Sequence, residues 1–313
     1  MPVTVGTFNL NNLYSRWNFK ASIDEYEKGS WPVLKKEEGF WVRRYKGTLI
    51  EPKSGPMTER IAARIRQAEP DVLACQEVED REVLEQFREE HLGTRYPWQV
   101  LVEGNDPRLI DVALISRLPL GEVRSYQHWV HPGRAHEPLF RRDLLQVEVL
   151  SDDRRRRLFW MFVAHLKSKF VDWRIRDPEG RARARQEADR VRTLEAEAIA
   201  AIVRSRTGSQ DLYVVCGDLN DTPDAPTLAS LMGPGPGGLA LVNPVARDVP
   251  VEERWTTSHK EAGQARRFEQ IDYVLVPVWA AGKVLRTRID RRRTGVTVAD
   301  GSDHDPVYCE IEP

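Results

Sequence analysis

No apolar run in this chain of 313 residues approaches the ~20 residues that would span a membrane. The sequence also lacks the basic stretch and apolar segment of a secretory leader. It starts on the alternating run Val3-Thr4-Val5-Gly6-Thr7-Phe8, and a cytoplasmic location is the expectation. Cysteine is scarce. Cys75, Cys216 and Cys309 fall in strand-like runs, and an odd, widely spaced set offers neither a disulfide framework nor a zinc site. They read as buried thiols. No Ser/Gly linker divides the chain, and the Gly/Pro-rich patch at 233–238 is only loop-sized, so one domain over residues 1–313 is expected. An excess of one charge is missing too. The 47 basic and 48 acidic residues leave a net charge of −1, which neither announces nor excludes a polyanion binder. Nothing here calls for an obligate protein partner or a membrane.

What is present is a mixture of strand and helix signals. Apolar or alternating runs of strand length cover 3–8, 72–76, 111–116, 144–150, 158–165, 212–216, 271–276 and 307–311. Ile61, Ile65 and Ala68 share one helical face after Thr58, a candidate N-cap. Val191, Leu194, Ala198 and Ile202 make a second apolar stripe, in a segment rich in Ala, Arg and Glu. Val83, Leu84 and Phe87 suggest a third helix. Many strands, few helices and hairpin-like links imply an α/β sandwich.

The polar residues at the strand ends carry the chemistry. Asn9, Glu77, His165 and Asp218 lie at or just past the C-terminal ends of their strands, whereas Asp272 and Asp303-His304 begin theirs. Antiparallel pairing of the two groups would place all six positions on one rim. Carboxylates, amides and two imidazoles gathered there suit metal-assisted attack on a phosphate ester. One internal echo supports a shared edge: Phe8-Asn9-Leu10-Asn11 and Gly217-Asp218-Leu219-Asn220 each follow a strand. Coincidence and a two-fold pseudo-symmetric sandwich both account for it.

Six segments in order resemble the endonuclease/exonuclease/phosphatase superfamily. They are Phe8-Asn9-Leu10-Asn11, Gln76-Glu77-Val78, His165-Leu166-Lys167-Ser168, Gly217-Asp218-Leu219-Asn220-Asp221, Gln270-Ile271-Asp272-Tyr273 and Ser302-Asp303-His304-Asp305-Pro306. The resemblance runs from about residue 3 to residue 311. It implies a DNase I-like four-layered α/β sandwich, two packed and mostly antiparallel sheets flanked by helices, with the site at one edge. It implies Glu77 as a hard oxygen ligand to Mg²⁺ (or Mn²⁺), assisted by Asn9, with Asn11 a further candidate and Asp303 facing the metal. Asp218 would orient and deprotonate the attacking water, and Asn220 would donate its amide to a phosphate oxygen. His304 would stabilise charge or act as general acid or base, held by Asp272. His165 resembles a second phosphate-contacting position.

The arginines divide by place. Arg154 to Arg157 sit in the expected hairpin turn before the strand ending at His165, about 26 Å from that histidine, and read as a solvated turn. Arg142 opens the preceding strand at the active rim. With Asp143 it resembles the pair that family nucleases carry, so it is expected to contact substrate; Arg108 is a weaker candidate. His131, Arg134 and His136 lie in a loop near the same rim. The segment at about 14–56 departs from a minimal family member. It interleaves Trp17, Phe19, Tyr26, Trp31, Phe40, Trp41 and Tyr45 with basic residues, which suits base stacking or simple packing on the sandwich.

The expected activity is a metal-dependent phosphodiester hydrolase, a nuclease (endonuclease) on DNA or RNA, with nucleic acid as its substrate partner. The alternative is the same site on a small or lipid phosphate ester. A non-catalytic binding module is disfavoured, since a degenerate member should have lost Glu77, Asp218, Asp272 or His304.

Overall fold

A computed structural model describes residues 1–15, 52–132, 137–172, 175–235, 237–260, 263, 265–291 and 301–313, with the backbone of four short strands between 18 and 50. The strands begin with β1 (Val3–Leu13), β2 (Asn18–Lys20), β3 (Val33–Glu37), β4 (Phe40–Arg44), β5 (Thr48–Ile50) and β6 (Val72–Val78). Next come β7 (Trp98–Leu101), β8 (Asp111–Ser116), β9 (Leu120–Ser125), β10 (Leu144–Leu150), β11 (Arg157–His165) and β12 (Tyr213–Asp218). The last are β13 (Thr257–His259), β14 (Arg267–Glu269), β15 (Asp272–Leu275), β16 (Val284–Ile289) and β17 (Val307–Ile311). The main helices are α1 (Gly55–Ala68), α2 (Arg81–Phe87) and α3 (Pro178–Arg206).

Two sheets dominate. One has six strands in the order β16-β17-β1-β6-β8-β7, the other five in the order β15-β12-β11-β10-β9. Each contains one parallel pair, β1 with β6 and β11 with β12, while the other neighbours run antiparallel. A parallel pair needs a long crossover. Here α1 lies between β1 and β6, and α3 between β11 and β12.

Side-chain alternation along the strands builds three apolar layers. Val3, Val5, Val72, Ala74, Met161, Val163, Val214, Cys216 and Val274 fill the space between the sheets. The opposite face of the first sheet presents Phe8, Leu10, Leu73 and Cys75 to Ile61 and Ile65 of α1 and to Val83, Leu84 and Phe87 of α2. The opposite face of the second sheet presents Trp160, Phe162, Tyr213 and Val215 to Ile199, Ile202 and Val203 of α3. The order is therefore helix, sheet, sheet, helix, the DNase I-like layering. All three cysteines are buried and free.

Local chemistry sets the helix ends. The Asp177 carboxylate accepts from the Gly180 N–H and Pro178 occupies the first turn of α3, where its missing donor costs nothing. In α1 the N-cap is Ser54, and Thr58 lies one turn inside the helix with its hydroxyl on the Ser54 carbonyl. The Pro at the start of α1 moves that boundary back from the cap expected at Thr58. Among the described residues no helix is long and apolar enough to cross a membrane.

Candidate active site

Sheet register places the key side chains in one row. His165 of β11 stands beside Asp218 of β12, and Asp218 stands opposite Asp272 of β15. Registered neighbours point to the same face. Counting back by twos, His165 shares its face with Val163, Asp218 with Cys216, and Asp272 with Val274, all of which lie between the sheets. The same count from Val3 and Val5 brings Asn9 to the inner face of the first sheet. Asn9 and Asp218 meet there, the amide Nδ2 donating to Oδ2 at 3.1 Å. The echo in the sequence thus falls on two strands that touch across the sandwich.

Backbone irregularities aim the remaining groups. Pairing of β1 with β6 shifts register between Asn9 and Leu13, and pairing of β6 with β8 shifts between Gln76 and Val78. Asn11, Asn12 and Glu77 occupy positive φ at 49°, 58° and 62°. Asn tolerates that region, whereas Glu rarely adopts it. Such bulges redirect a side chain at a sheet rim. The Asn12 N–H donates to Glu77 Oε2 at 3.0 Å, and the Asn11 N–H to Asn9 Oδ1 at 2.9 Å. Glu77 is only half-buried. Gly217 has φ 136°, and a Cβ there would sit 1.8 Å from the Ala164 carbonyl oxygen. Only glycine lets β12 approach β11 closely enough to bring Asp218 beside His165.

The Asp218 carboxylate is the hub. His165 Nε2 lies 3.4 Å and His304 Nε2 3.9 Å from Oδ2, and the Asn220 N–H donates to Oδ1 at 2.9 Å. Burial first, and then the Asp272 charge, pushes the Asp218 carboxyl up to about 7. His304 Nδ1 is 2.9 Å from Asp272 Oδ2. Burial pulls the His304 imidazole down, but the charges of Asp272, Asp218 and Asp303 outweigh it and hold the ring protonated well above its usual range. His165 goes the other way: burial, then Arg142, Arg108 and His304, keeps it neutral. Two histidines in one site therefore carry different charges.

The loop holding His304 is pinned from several sides. Ser302 Oγ donates to the Asn9 carbonyl at 2.6 Å and accepts from the His304 N–H at 3.0 Å. Thr257 Oγ1 donates to the Asp303 carbonyl at 3.0 Å. Arg64 of α1, itself 4% exposed, donates to the fully buried Asp305 at 3.0 Å. Lys53 Nζ donates to the Gly301 carbonyl at 2.7 Å, within electrostatic reach of Asp303 and Glu77. The Asp303 side chain is half exposed, with Oδ1 3.9 Å from His304 Nε2.

Arg142 turns inward at the rim. It is 5% exposed, with Nε donating to Asp106 Oδ2 at 3.0 Å and Nη1 to the Leu166 carbonyl at 2.8 Å. With two of its five N–H groups given to Asp106 and Leu166, this guanidinium braces the loop after β11. Arg108 is the exposed one of the pair, leaning on Asp106 at 3.4 Å. Asn220 Nδ2 donates one N–H to the Leu166 carbonyl at 3.0 Å, and its second has no acceptor among the described residues. His131 lies 4.0 Å from Glu197 of α3, away from the Asp218 row. Arg134, His136 and the aromatic side chains of the 14–56 segment from Trp17 to Tyr45 lie outside the described residues. Arg154, in the β10–β11 turn, folds over Trp98 of β7 in the other sheet at 4.8 Å, and Arg157 over Trp160 of its own strand at 4.7 Å.

Tyr14, Lys53, Arg64 and Asp106 escape a reading of the sequence. Each stands in an ordinary local context and is tied to the site by contacts distant in sequence, Tyr14 through its hydroxyl on the Arg108 carbonyl at 3.1 Å.

Two donor sets in this site suit a cation. Ligand atoms of Asp218, Asp272 and His304 lie within 4.8 Å of one another, close enough to hold a metal ion, and Asp272 Oδ1 is buried with no hydrogen-bond donor among the described residues. Glu77, Asn9 and Asp303 supply hard oxygens of the kind Mg²⁺ prefers, and Glu77 Oε1 accepts no hydrogen bond among the described residues.

A sandwich of this layering with acid, amide and imidazole converging on one rim defines a phosphoester hydrolase class. The family model described as Endonuclease/Exonuclease/phosphatase family matches residues 6–304, and the chain belongs to that family. Members of the family hydrolyse phosphoester bonds and generally depend on divalent metals. Among solved structures, the chain is similar to the human Nocturnin catalytic domain with bound sulfate at 14% identity, covering 99% of this chain and 94% of that one, TM-score 0.60. It is similar to an AP endonuclease from Archaeoglobus fulgidus at 14% identity, covering 99% and 100%, TM-score 0.60. A third is D. rerio TDP2 complexed with a single-strand DNA product, at 12% identity, 100% and 99% coverage and TM-score 0.58. At these identities the likeness shows the fold. A search of curated proteins finds no match.

Proposed function

We propose that this chain is a nuclease that hydrolyses phosphodiester bonds of DNA or RNA with the help of Mg²⁺ or Mn²⁺. The carrying observation is the Asp218 carboxylate, buried in a row with a neutral histidine on one side and a protonated histidine close by. Glu77, Asn9 and Asp303 are the residues that would hold the metal, which when bound supplies Lewis-acid neutralisation of the phosphate. Asp218 accepts a proton from the attacking water, whose oxygen forms the new bond to phosphorus as the P–O bond to the leaving group breaks. Asn9 orients that carboxylate from the opposite sheet. His304, kept cationic by Asp272, stabilises the charge that builds on the phosphoryl oxygens. Asn220 offers its second amide proton to the same oxygens. His165 holds the edge of the pocket without adding charge.

The AP endonuclease and the TDP2 complexed with single-strand DNA favour a polynucleotide over a small ester. One panel decides it: plasmid, single-stranded and abasic DNA, RNA, bis-p-nitrophenyl phosphate and p-nitrophenyl phosphate. Turnover of a polynucleotide that EDTA abolishes and Mg²⁺ restores is the expected outcome. Turnover of p-nitrophenyl phosphate alone would replace a nuclease with a small-ester phosphatase.

A further inference from the structure

An open cavity of about 2080 Å³ runs outward from the catalytic rim, where Asn220 and Asp303 border it. One wall is the N-terminal half of α3, the other the hairpin of β13 and β14. Arg181, Arg185, Asp189 and Arg192 all line it. They are spaced by four, four and three residues and therefore form one stripe of the helix. Its inner end is fixed: Arg192, 1% exposed, donates Nε to Asp221 Oδ2 at 3.0 Å and Nη1 to the Lys167 carbonyl at 2.7 Å. These are the loops that follow Asp218 and His165. From Arg192 to Arg181 the helix rises about 16 Å.

Both signs of charge line this cavity. Carboxylates of Asp221, Glu269 and Asp303 stand toward the site, and Lys169 ties up the first two at 2.9 and 3.2 Å. At the outer end Arg185 is exposed, and Arg181 spends one N–H on the Ile175 carbonyl at 3.3 Å. Phe170 lines the same space and is 66% exposed, an unusual position for a large aromatic unless something stacks on it.

We infer that this cavity is the track of a single polynucleotide strand leaving the catalytic rim. Arg181 and Arg185 take the phosphates beyond the scissile one, and Phe170 stacks a base. The inference rests on the nuclease reading and names which surface of the chain meets the flanking nucleotides. Arg181 and Arg185, beyond the rim where a metal would carry the scissile group, offer cations to flanking phosphates that have no metal of their own.

The test is anisotropy of a short labelled single-stranded oligonucleotide across a salt series, in EDTA so that nothing is cut, alongside a cleavage assay with Mg²⁺. Every phosphate that a variant leaves unneutralised should lower the slope of log affinity against log salt by about 0.7, so Arg181→Ala/Arg185→Ala should reduce it by roughly two such increments. Phe170→Ala should weaken binding by about tenfold with the slope retained. A purely structural role for these side chains would not move the slope. Cleavage by the wild type combined with wild-type slopes in the variants would overturn the track and leave the nuclease standing. A wild type that neither binds nor cuts any oligonucleotide would remove both.

Discussion

At the scale of single residues, position in the sheet register decides which carboxylate works as a base. Asp218 and Asp272 face each other across two strands, yet only Asp272 holds the ring of His304 at hydrogen-bond distance. Asp218 is left with donors that orient it, Asn9 and the Asn220 N–H, and with a proton affinity raised toward neutrality. Asp218→Asn should keep the fold and lower kcat by about 10² to 10⁴, the usual worth of a positioned general base. Single-turnover rates on an oligonucleotide would show it, and a near-wild-type rate would return Asp218 to a structural role. Because the carboxylate must be ionised to accept a proton, and its carboxyl titrates at about 7, kcat/KM should climb as pH rises through neutrality. A rate that falls from pH 6 to 8 would contradict that assignment. His304→Ala should cost a comparable factor in kcat, since it removes the imidazolium that stabilises charge building on the phosphoryl oxygens.

At the scale of elements, loops rather than strands carry the information a sequence reader finds hardest to see. Strand-length runs, the α3 stripe and the polar residues that end each strand are visible because alternation and helical period are local. Asn9, Glu77, His165, Asp218, Asp272 and His304 stand out for that reason. The short strands β7, β9, β13, β14 and β16 do not, because partly exposed runs of three to six residues carry weak alternation. Arg142 shows only part of its setting, because its chain position at the rim is visible while its ion pair with Asp106 spans 36 residues. Arg64 is hidden for the converse reason. It sits in an ordinary amphipathic helix, and its partner Asp305 is 241 residues away. Breaking a buried ion pair by removing one member typically costs 3–5 kcal/mol. Arg64→Met should therefore lose about that much in urea unfolding and loosen the segment that presents His304. A loss under about 1 kcal/mol would show that the hydrogen bonds of Ser302 and Thr257 hold the segment alone.

At the scale of the whole molecule, the site is embedded in a structure that keeps many acids buried, and this sets how stability responds to pH. Burial raises the carboxyls of Asp111, Asp143 and Glu195 to about 7, and Asp218 joins them. A folded state that holds protons more tightly than the unfolded chain is favoured at low pH. The stability owed to these four groups is full below about pH 4, where both states are protonated, and is lost as pH climbs through about 7. His165 acts in the opposite sense, because burial lowers its proton affinity and the folded state gains as pH rises up to the usual histidine range, with no further change above it. Acids held low by partners, such as Asp106 beside Arg142 and Asp221 beside Lys169, change charge only below that window. His304, held protonated well above the usual histidine range, adds to the decline once pH passes that range. Five groups against one leave a net decline, so Tm should fall from pH 5 to pH 8. Glu195 is the cleanest place to test this. It lies outside the Asp218 row, is 3% exposed, and accepts the Lys167 N–H at 2.7 Å, a bond that a glutamine oxygen can also accept. Glu195→Gln should flatten its share of the decline and raise Tm relative to wild type at pH 8 more than at pH 5. A variant whose Tm runs parallel to wild type across that range would mean that Glu195 stays ionised in the fold, stabilised by Arg192 and Arg142 more strongly than burial opposes it.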